Sequence, residues 1–463
     1  MKLSTPTLAR LIGHFGFLIL LALSIVLARE RVLFVDSAAQ LFELIQRGTF
    51  VIYDHRYTMA VTQLLPLAGI KLGLPLPVLV VLYSAAAPLI AYLAFLLLAY
   101  RVKDVPLALL LLFPMLCIRH TFFHGISETF SLMVYATLLL ALLRHRHNTL
   151  LHAFGIALCT LACVFMHPIG MFFVFFLLGY HVVDTVVSHA GRIVSLQTMV
   201  MTITLVAAVI VKMQLPSGHD ADYMPSVADA LYLLTHPSEL HVVHHLFERV
   251  ADLYLYPVVL YAVALFWHIR RRQWLRMGWG LAFNLGFFLL TAVVYHADAS
   301  HICVERAWLP LVFFASVPFV CEYRSRRPHL MLLVFAALLL FSYGKIADSS
   351  KHYRQRLKEL HAIVDRGRRK GYRKLVAEYP TVDSRFRVHS WATAFETLML
   401  SSMHSPDSTA TLYLEELSYD PDNPDYQEFD AFLAVPWNRL WHYSSLDPRY
   451  FRLPSQSYVL VED

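Results

Sequence analysis

The run LIGHFGFLILLALSIVLA (Leu11–Ala28) and the loop after it, VLFVDSAAQLFELIQRGTFVIYDHRYTMAVTQLLPLAGI (Val32–Ile70), decide how this chain is read. The first approaches the roughly 20 apolar residues that a membrane-spanning helix needs. The second sets Asp36, Glu43, Asp54, His55 and Arg56 directly behind that span. Carboxylates held at a membrane surface are costly unless partnered or used. Val26-Leu27-Ala28 weakly fits a signal-peptide cleavage site, but the apolar run exceeds the about 7–15 residues of a signal h-region. It is therefore expected to remain as helix 1.

Composition places the whole chain in the same class. Of 463 residues 57% are hydrophobic and 16% charged, with mean hydropathy +0.53, whereas globular chains carry about 25% charged residues. The net charge of +6 is modest, and no nucleic-acid partner is expected. The five cysteines (Cys117, Cys159, Cys163, Cys303, Cys321) fall mostly in apolar runs and read as packing residues rather than disulfide partners.

Apolar runs predict eleven spans near 11–28, 78–100, 105–118, 127–143, 150–166, 169–187, 197–213, 255–269, 277–295, 307–321 and 329–344. With the N-terminus inside, short cytoplasmic loops collect Lys2, Arg10, Arg101, Lys103, Arg144, Arg146, Arg192, Arg270 to Arg272, Arg276, Arg324, Arg326 and Arg327. The outer loops are longer and less basic, as the positive-inside rule requires. The fold expected is an all-α polytopic membrane domain over 1–344, with outer loops at 29–77 and 214–254. A small mixed α/β extracytoplasmic domain is expected over 345–463. Within it, HYRQRLKELHAIVDRGRRKGYRKLVAEYP has helical spacing and a basic face, suited either to anionic headgroups or to solvent. ATLYLEELSY and SYVLVED read as strands.

Polar residues recur at helix junctions of the outer side only. Arg119, His120, His124 and Glu128 join spans 3 and 4. His167 sits in the turn between spans 5 and 6. His296, Asp298, His301, Glu305 and Arg306 join spans 9 and 10. Bundled helices would let these line one cavity with the first loop. Such an inventory suits group transfer from an anionic lipid donor: a carboxylate as base, arginines for a phosphate and histidines as hydrogen-bond donors. Each also has a structural reading: Asp36 as a helix N-cap, Arg306 as an ion pair with Glu305. His241, His244 and His245 have metal-ligand spacing, so a divalent metal is possible, though no metal ligand is assigned. No Walker-type loop, GxSxG elbow or CxxC pair occurs.

On these features the chain resembles the GT-C superfamily of integral membrane glycosyltransferases, which use polyprenyl-phosphate-linked sugars. The resemblance covers most of the chain: an inside N-terminus, a large first outer loop, many spans and an outer C-terminal region. It implies Asp36, just past helix 1, as catalytic base. Family members often carry an acidic pair there; FVDSAAQ has a single acid, which leaves the base open between Asp36 and Asp54. The resemblance further implies Arg306 as the arginine for the donor phosphate; on the transferase reading Arg56, Arg119 and His120 surround the same phosphate, with His55, His124, Glu128, His167 and His296 completing the substrate site. The activity implied is sugar transfer from a polyprenyl-phosphate donor on the outer face of a plasma membrane, preferably a bacterial inner membrane. A transporter or flippase of an amphipathic lipid-linked substrate would place polar residues at the midplane of repeated halves, and no repeat is found. A non-catalytic assembly subunit, with the outer tail as binding module, is the third reading. Oligomeric state is not legible.

Overall fold

The computed structural model describes residues 4–126, 128–145, 149–188, 195–215, 226–297, 301–322, 327–378, 390–415, 420–434 and 439–461. The chain is largely helical. Eight of the described helices are long and apolar enough to cross a membrane. Helix α1 is Thr5–Val26, followed by α2 (Ala28–Val32), α3 (Val35–Arg47), α4 (Ala60–Lys71) and α5 (Leu76–Leu96). A π-helical turn extends α5 to Val102. Next come α6 (Val105–Leu110), α7 (Glu128–Arg144), α8 (Leu150–Val164), α9 (Gly170–Ser188) and α10 (Leu196–Gln214).

Helix α10 shows why these segments belong in lipid. Met199, Ile203, Val206 and Ile210 form an exposed face, while Met201, Leu205 and Ala208 are buried. Both faces are apolar, which water would not favour and hydrocarbon does. The expected span 105–118 is shorter than a full crossing. Asp104 caps α6 through Leu107 N–H at 3.1 Å, and the segment breaks into a 3-10 turn at Phe113–Leu116. Its residues from Leu107 to Ile118 are buried inside the bundle, where protein rather than lipid meets the broken backbone.

In the stretch 226–254 lie α11 (Val227–Thr235) and α12 (His241–Arg249). Helix α11 ends before Pro237 as expected, but α12 continues through a π-helical turn at Val250–Tyr254 into the next helix, which Pro257 does not break. The bundle closes with α13 (Leu255–Arg270), α14 (Trp274–Val294), α15 (His301–Glu322) and α16 (Pro328–Arg369). Charged contacts at one end tie Arg144 to Asp104 (3.3 Å) and to the Cys321 carbonyl (3.5 Å), and Arg276 to Glu322 (3.0 Å) and Asp184. Several residues assigned to this end by sequence, Arg146, Arg192, Arg324 and Arg326, lie outside the described residues.

Helix α16 runs 42 residues without a break, about 63 Å at 1.5 Å per residue, and so passes straight through position 345. Beyond the span its buried positions Tyr353, Arg356, Leu360, Val364 and Gly367 pack on protein rather than on headgroups. The helical reading of this stretch fails after Arg369. Gly371 turns the chain at φ +89°, a conformation glycine adopts freely. Lys374–Glu378 is then strand β1. Its run Leu375-Val376-Ala377 is buried on both faces, as a central parallel strand requires. β1 pairs in parallel with β2 (Thr411–Glu415) and β5 (Val459–Leu460), both from stretches read as strands. β3 (Ala431–Ala434) and β4 (Arg439–His442) form an antiparallel pair. Helix α17 (Thr393–Ser402) packs this region on the first loop: Phe42 of α3 meets Phe395 at 5.0 Å, Trp441 at 5.3 Å and Phe451 at 5.6 Å between ring centres.

Close packing of α1 depends on Gly13, where an added Cβ would lie 2.2 Å from the buried Phe95 ring of α5. Gly13→Val should therefore cost about 1–3 kcal/mol by overpacking, measured by thermal unfolding in detergent. An unchanged midpoint would contradict this α1–α5 contact.

Candidate functional site

The first loop begins with a conformational oddity. Val35, at the head of α3, has φ +44°, a left-handed backbone that a β-branched residue rarely adopts. Asp36 follows in the first helical turn, where the helix dipole favours a carboxylate. Residue Phe34 takes the N-cap position and α3 has no side-chain cap, so the capping role open to Asp36 is not the one it plays. Its side chain is 44% exposed and its Oδ2 accepts from His124 Nε2 at 2.8 Å. His124 itself is buried. Its loop is tied down by Arg31, whose Nε donates to the Phe122 carbonyl at 2.8 Å and whose Nη1 donates to the Ser84 carbonyl at 2.7 Å.

Further along the loop, Asp54 and His55 also have positive φ, +49° and +57°. These values turn the chain so that Arg56 Nη1 meets Glu128 Oε1 at 2.6 Å, with Asp54 3.8 Å away. Arg56 and Glu128 come from opposite ends of the loop-to-α7 interval, yet form one buried pair. Glu43 turns elsewhere: it is buried against Arg47.

His167 stands between α8 and α9. Its Nδ1 accepts the Ile169 N–H at 3.1 Å, so the proton of the neutral ring belongs on Nε2. Burial first, then the neighbouring Arg56 guanidinium, push this imidazole down to about 3; Glu128 opposes them and Arg306 adds to them. His167 is thus an uncharged donor at any ordinary pH.

Glu305 and Arg306 are adjacent but part company. Glu305 is buried and accepts the backbone N–H groups of Arg119, His120 and Thr121 at 2.9, 3.0 and 2.8 Å. The ion pair that sequence offered between them is replaced by this amide cluster. Arg306 instead faces a cavity of about 700 Å³ and, among the described residues, makes no hydrogen bond or close ion pair. Glu128 and Asp36 are near enough to act on its charge.

That cavity gathers Asp36, Asp54, Arg56, His124, Glu128, His167 and Arg306. Its volume suits a small-molecule site. Its apolar lining comes from Met171 and Phe172 of α9 and Phe287, Leu290 and Val294 of α14. The α14 positions recur at helical spacing, so one face of one helix supplies them. Four expected site residues lie away from it. Arg119 binds Ser349 (2.6 Å) and Asp252 (3.3 Å), and the His120 ring meets Tyr353 Oη at 3.3 Å. His55 contacts Tyr57 Oη at 3.2 Å, and His296 Nδ1 donates to the Val293 carbonyl at 3.0 Å. Asp298 lies outside the described residues. Gln40, Tyr53, Tyr295, Cys303 and Trp391 line the cavity without having been foreseen; only Tyr53, beside Asp54, and Tyr295, beside His296, carried a local signal.

Among the described residues no three His, Cys, Asp or Glu side chains group as metal ligands. His244 and His245 contact Glu248 at 3.3 and 2.9 Å. Comparison with protein-family models, curated proteins and solved structures finds no match to this chain.

The neutral state of His167 has a signed consequence for stability. An unfolded chain takes up its proton as pH falls through about 6.5, whereas the folded ring does so only near 3. Its contribution is complete above the unfolded value and is lost as pH falls between the two. His167→Gln should accordingly lose less thermal stability than the wild type between pH 7 and pH 5 in detergent. Equal losses would mean that the ring is charged in the folded protein.

Proposed function

We propose that this chain is an integral membrane glycosyltransferase of GT-C type, moving a sugar from a polyprenyl-phosphate donor to an acceptor hydroxyl. The observation that carries the reading is the meeting of Asp36 and Arg306 in one cavity lined by both charged and apolar side chains. A lipid-linked sugar phosphate likewise joins an anionic head to an apolar tail. In this reading the N-terminus is cytoplasmic, the cavity and C-terminal region are extracytoplasmic, and the membrane is a bacterial inner membrane.

The chemistry follows from the side chains. Asp36 accepts the proton of the acceptor hydroxyl while His124, donating to Oδ2 at 2.8 Å, holds the carboxylate's orientation. The acceptor oxygen forms a bond to the anomeric carbon. The bond from that carbon to the phosphate oxygen breaks, and its electron pair leaves with the polyprenyl phosphate. Arg306 meets the growing negative charge, and His167 donates a hydrogen bond to it without adding charge. Arg56 is already neutralised by Glu128 at 2.6 Å, so it shapes the wall and polarises His167 rather than receiving the phosphate. Attack opposite the leaving group inverts the anomeric centre.

Asp54 is the alternative base. It stands beside Arg56 and has, among the described residues, no imidazole partner comparable to His124, which favours Asp36. Transfer of radiolabelled sugar from a polyprenyl-phosphate donor by the purified protein tests the assignment. Asp36→Asn should lower the rate at least about 100-fold with an unchanged unfolding midpoint, and Arg306→Gln should reduce kcat. Full activity of Asp36→Asn would remove Asp36 as base.

A further inference from the structure

Two residues of the C-terminal region reach the site. Trp391 stands in the cavity wall, and Glu396, five positions on, is wholly buried against the backbone of the first loop. Glu396 Oε1 accepts the Val35 N–H at 2.7 Å. Its Oε2 lies 2.5 Å from Arg356 Nη1 on α16. The Arg356 guanidinium in turn lies over the Phe34 ring, 5.2 Å from its centre.

The residue held in this way is the strained one. A non-glycine residue in the left-handed region is strained and persists only where its surroundings fix it. Val35 carries that strain at φ +44°, and the next side chain is Asp36. Helix α3 has no side-chain cap of its own to fix its first turn. A buried ion pair contributes little to stability beyond what a well-packed apolar pair would give. An apolar pair, however, offers Val35 N–H no acceptor.

We propose that Glu396 is a positioning residue for Asp36. Locked by Arg356, its carboxylate holds the Val35 backbone in the left-handed turn and so aims Asp36 at the acceptor hydroxyl. This rests on the transferase reading for its catalytic consequence but not for its geometry.

The test compares two paired variants of the full chain. Glu396→Leu with Arg356→Met removes the charges and the acceptor. Glu396→Gln with Arg356→Met removes the charges and keeps the acceptor. The leucine pair should lower kcat at least tenfold with KM within twofold, and should speed hydrogen exchange at the Val35 amide. The glutamine pair should recover both to within threefold of wild type. A purely structural pair would give equal kcat and equal exchange in the two variants, and that result overturns the proposal. If the leucine pair does not fold, Glu396→Asp keeps a charge for Arg356 but shortens the reach to Val35, and must show the same loss. If the wild type transfers no sugar, the transferase reading falls, and the exchange comparison alone decides the positioning.

Discussion

A charge withdrawn from water must be met by another group, and the rest of this structure is arranged around that requirement. At one end of the bundle Arg144 meets Asp104, and Arg276 bridges Asp184 and Glu322. Arg31, buried with no carboxylate beside it among the described residues, is met by two backbone carbonyls and lies over the Phe122 ring. Burial lowers its pKa to about 9, yet that still leaves it charged at neutral pH. Each such contact joins segments remote in sequence, so solving the charge problem also sets the position of the loops.

Glu305 and Arg306 show how one requirement yields two outcomes. Successive helix positions point about 100° apart, so neighbours on α15 meet different surroundings. Glu305 faces the backbone turn at 119–121 and satisfies three N–H groups. That turn carries His124 toward Asp36. Arg306 faces open space, with its opposite charges at Glu128 and Asp36 held off. Among the described residues no carboxylate takes up the donors of this guanidinium, which leaves them directed at the cavity. The amide cluster supports the cavity wall, and the arginine next to it faces the cavity.

Hydrophobic runs made the long helices legible: eight of the eleven stretches expected to span fall on described helices long and apolar enough to cross, while 105–118, 127–143 and 150–166 give shorter ones; in hydrocarbon the backbone must satisfy itself. The extent of 105–118 was less legible, since burial within protein excuses a short, broken segment from the length rule. The polar junctions foretold the cavity for seven residues, from Asp36 to Arg306. They could not separate His124 from His120, four positions away. Which of the two histidines flanking a 3-10 turn faces the cavity depends on how Glu305 grips the turn, and that grip spans about 185 positions of sequence. Strand β1 was read as helix because its apolar run is too short for periodicity to distinguish the two. Trp391 carried no signal at all, as its role is fixed only by tertiary packing.

The single acid of FVDSAAQ takes a different meaning once these contacts are assembled. In the family proposed for this chain, a second acid often stands next to the first. Here the neighbour of Asp36 is an imidazole supplied by the loop before α7, and the backbone beneath it is gripped by a carboxylate nearly the whole chain away. Strained backbone survives only when independent elements agree on it. Three do so at Val35: the bond from Glu396, the Phe42 cluster that packs α3 on the C-terminal region, and the His124 contact. The C-terminal region is therefore part of the scaffold of the cavity, and removing it would leave Val35 without the acceptor that opposes its relaxation.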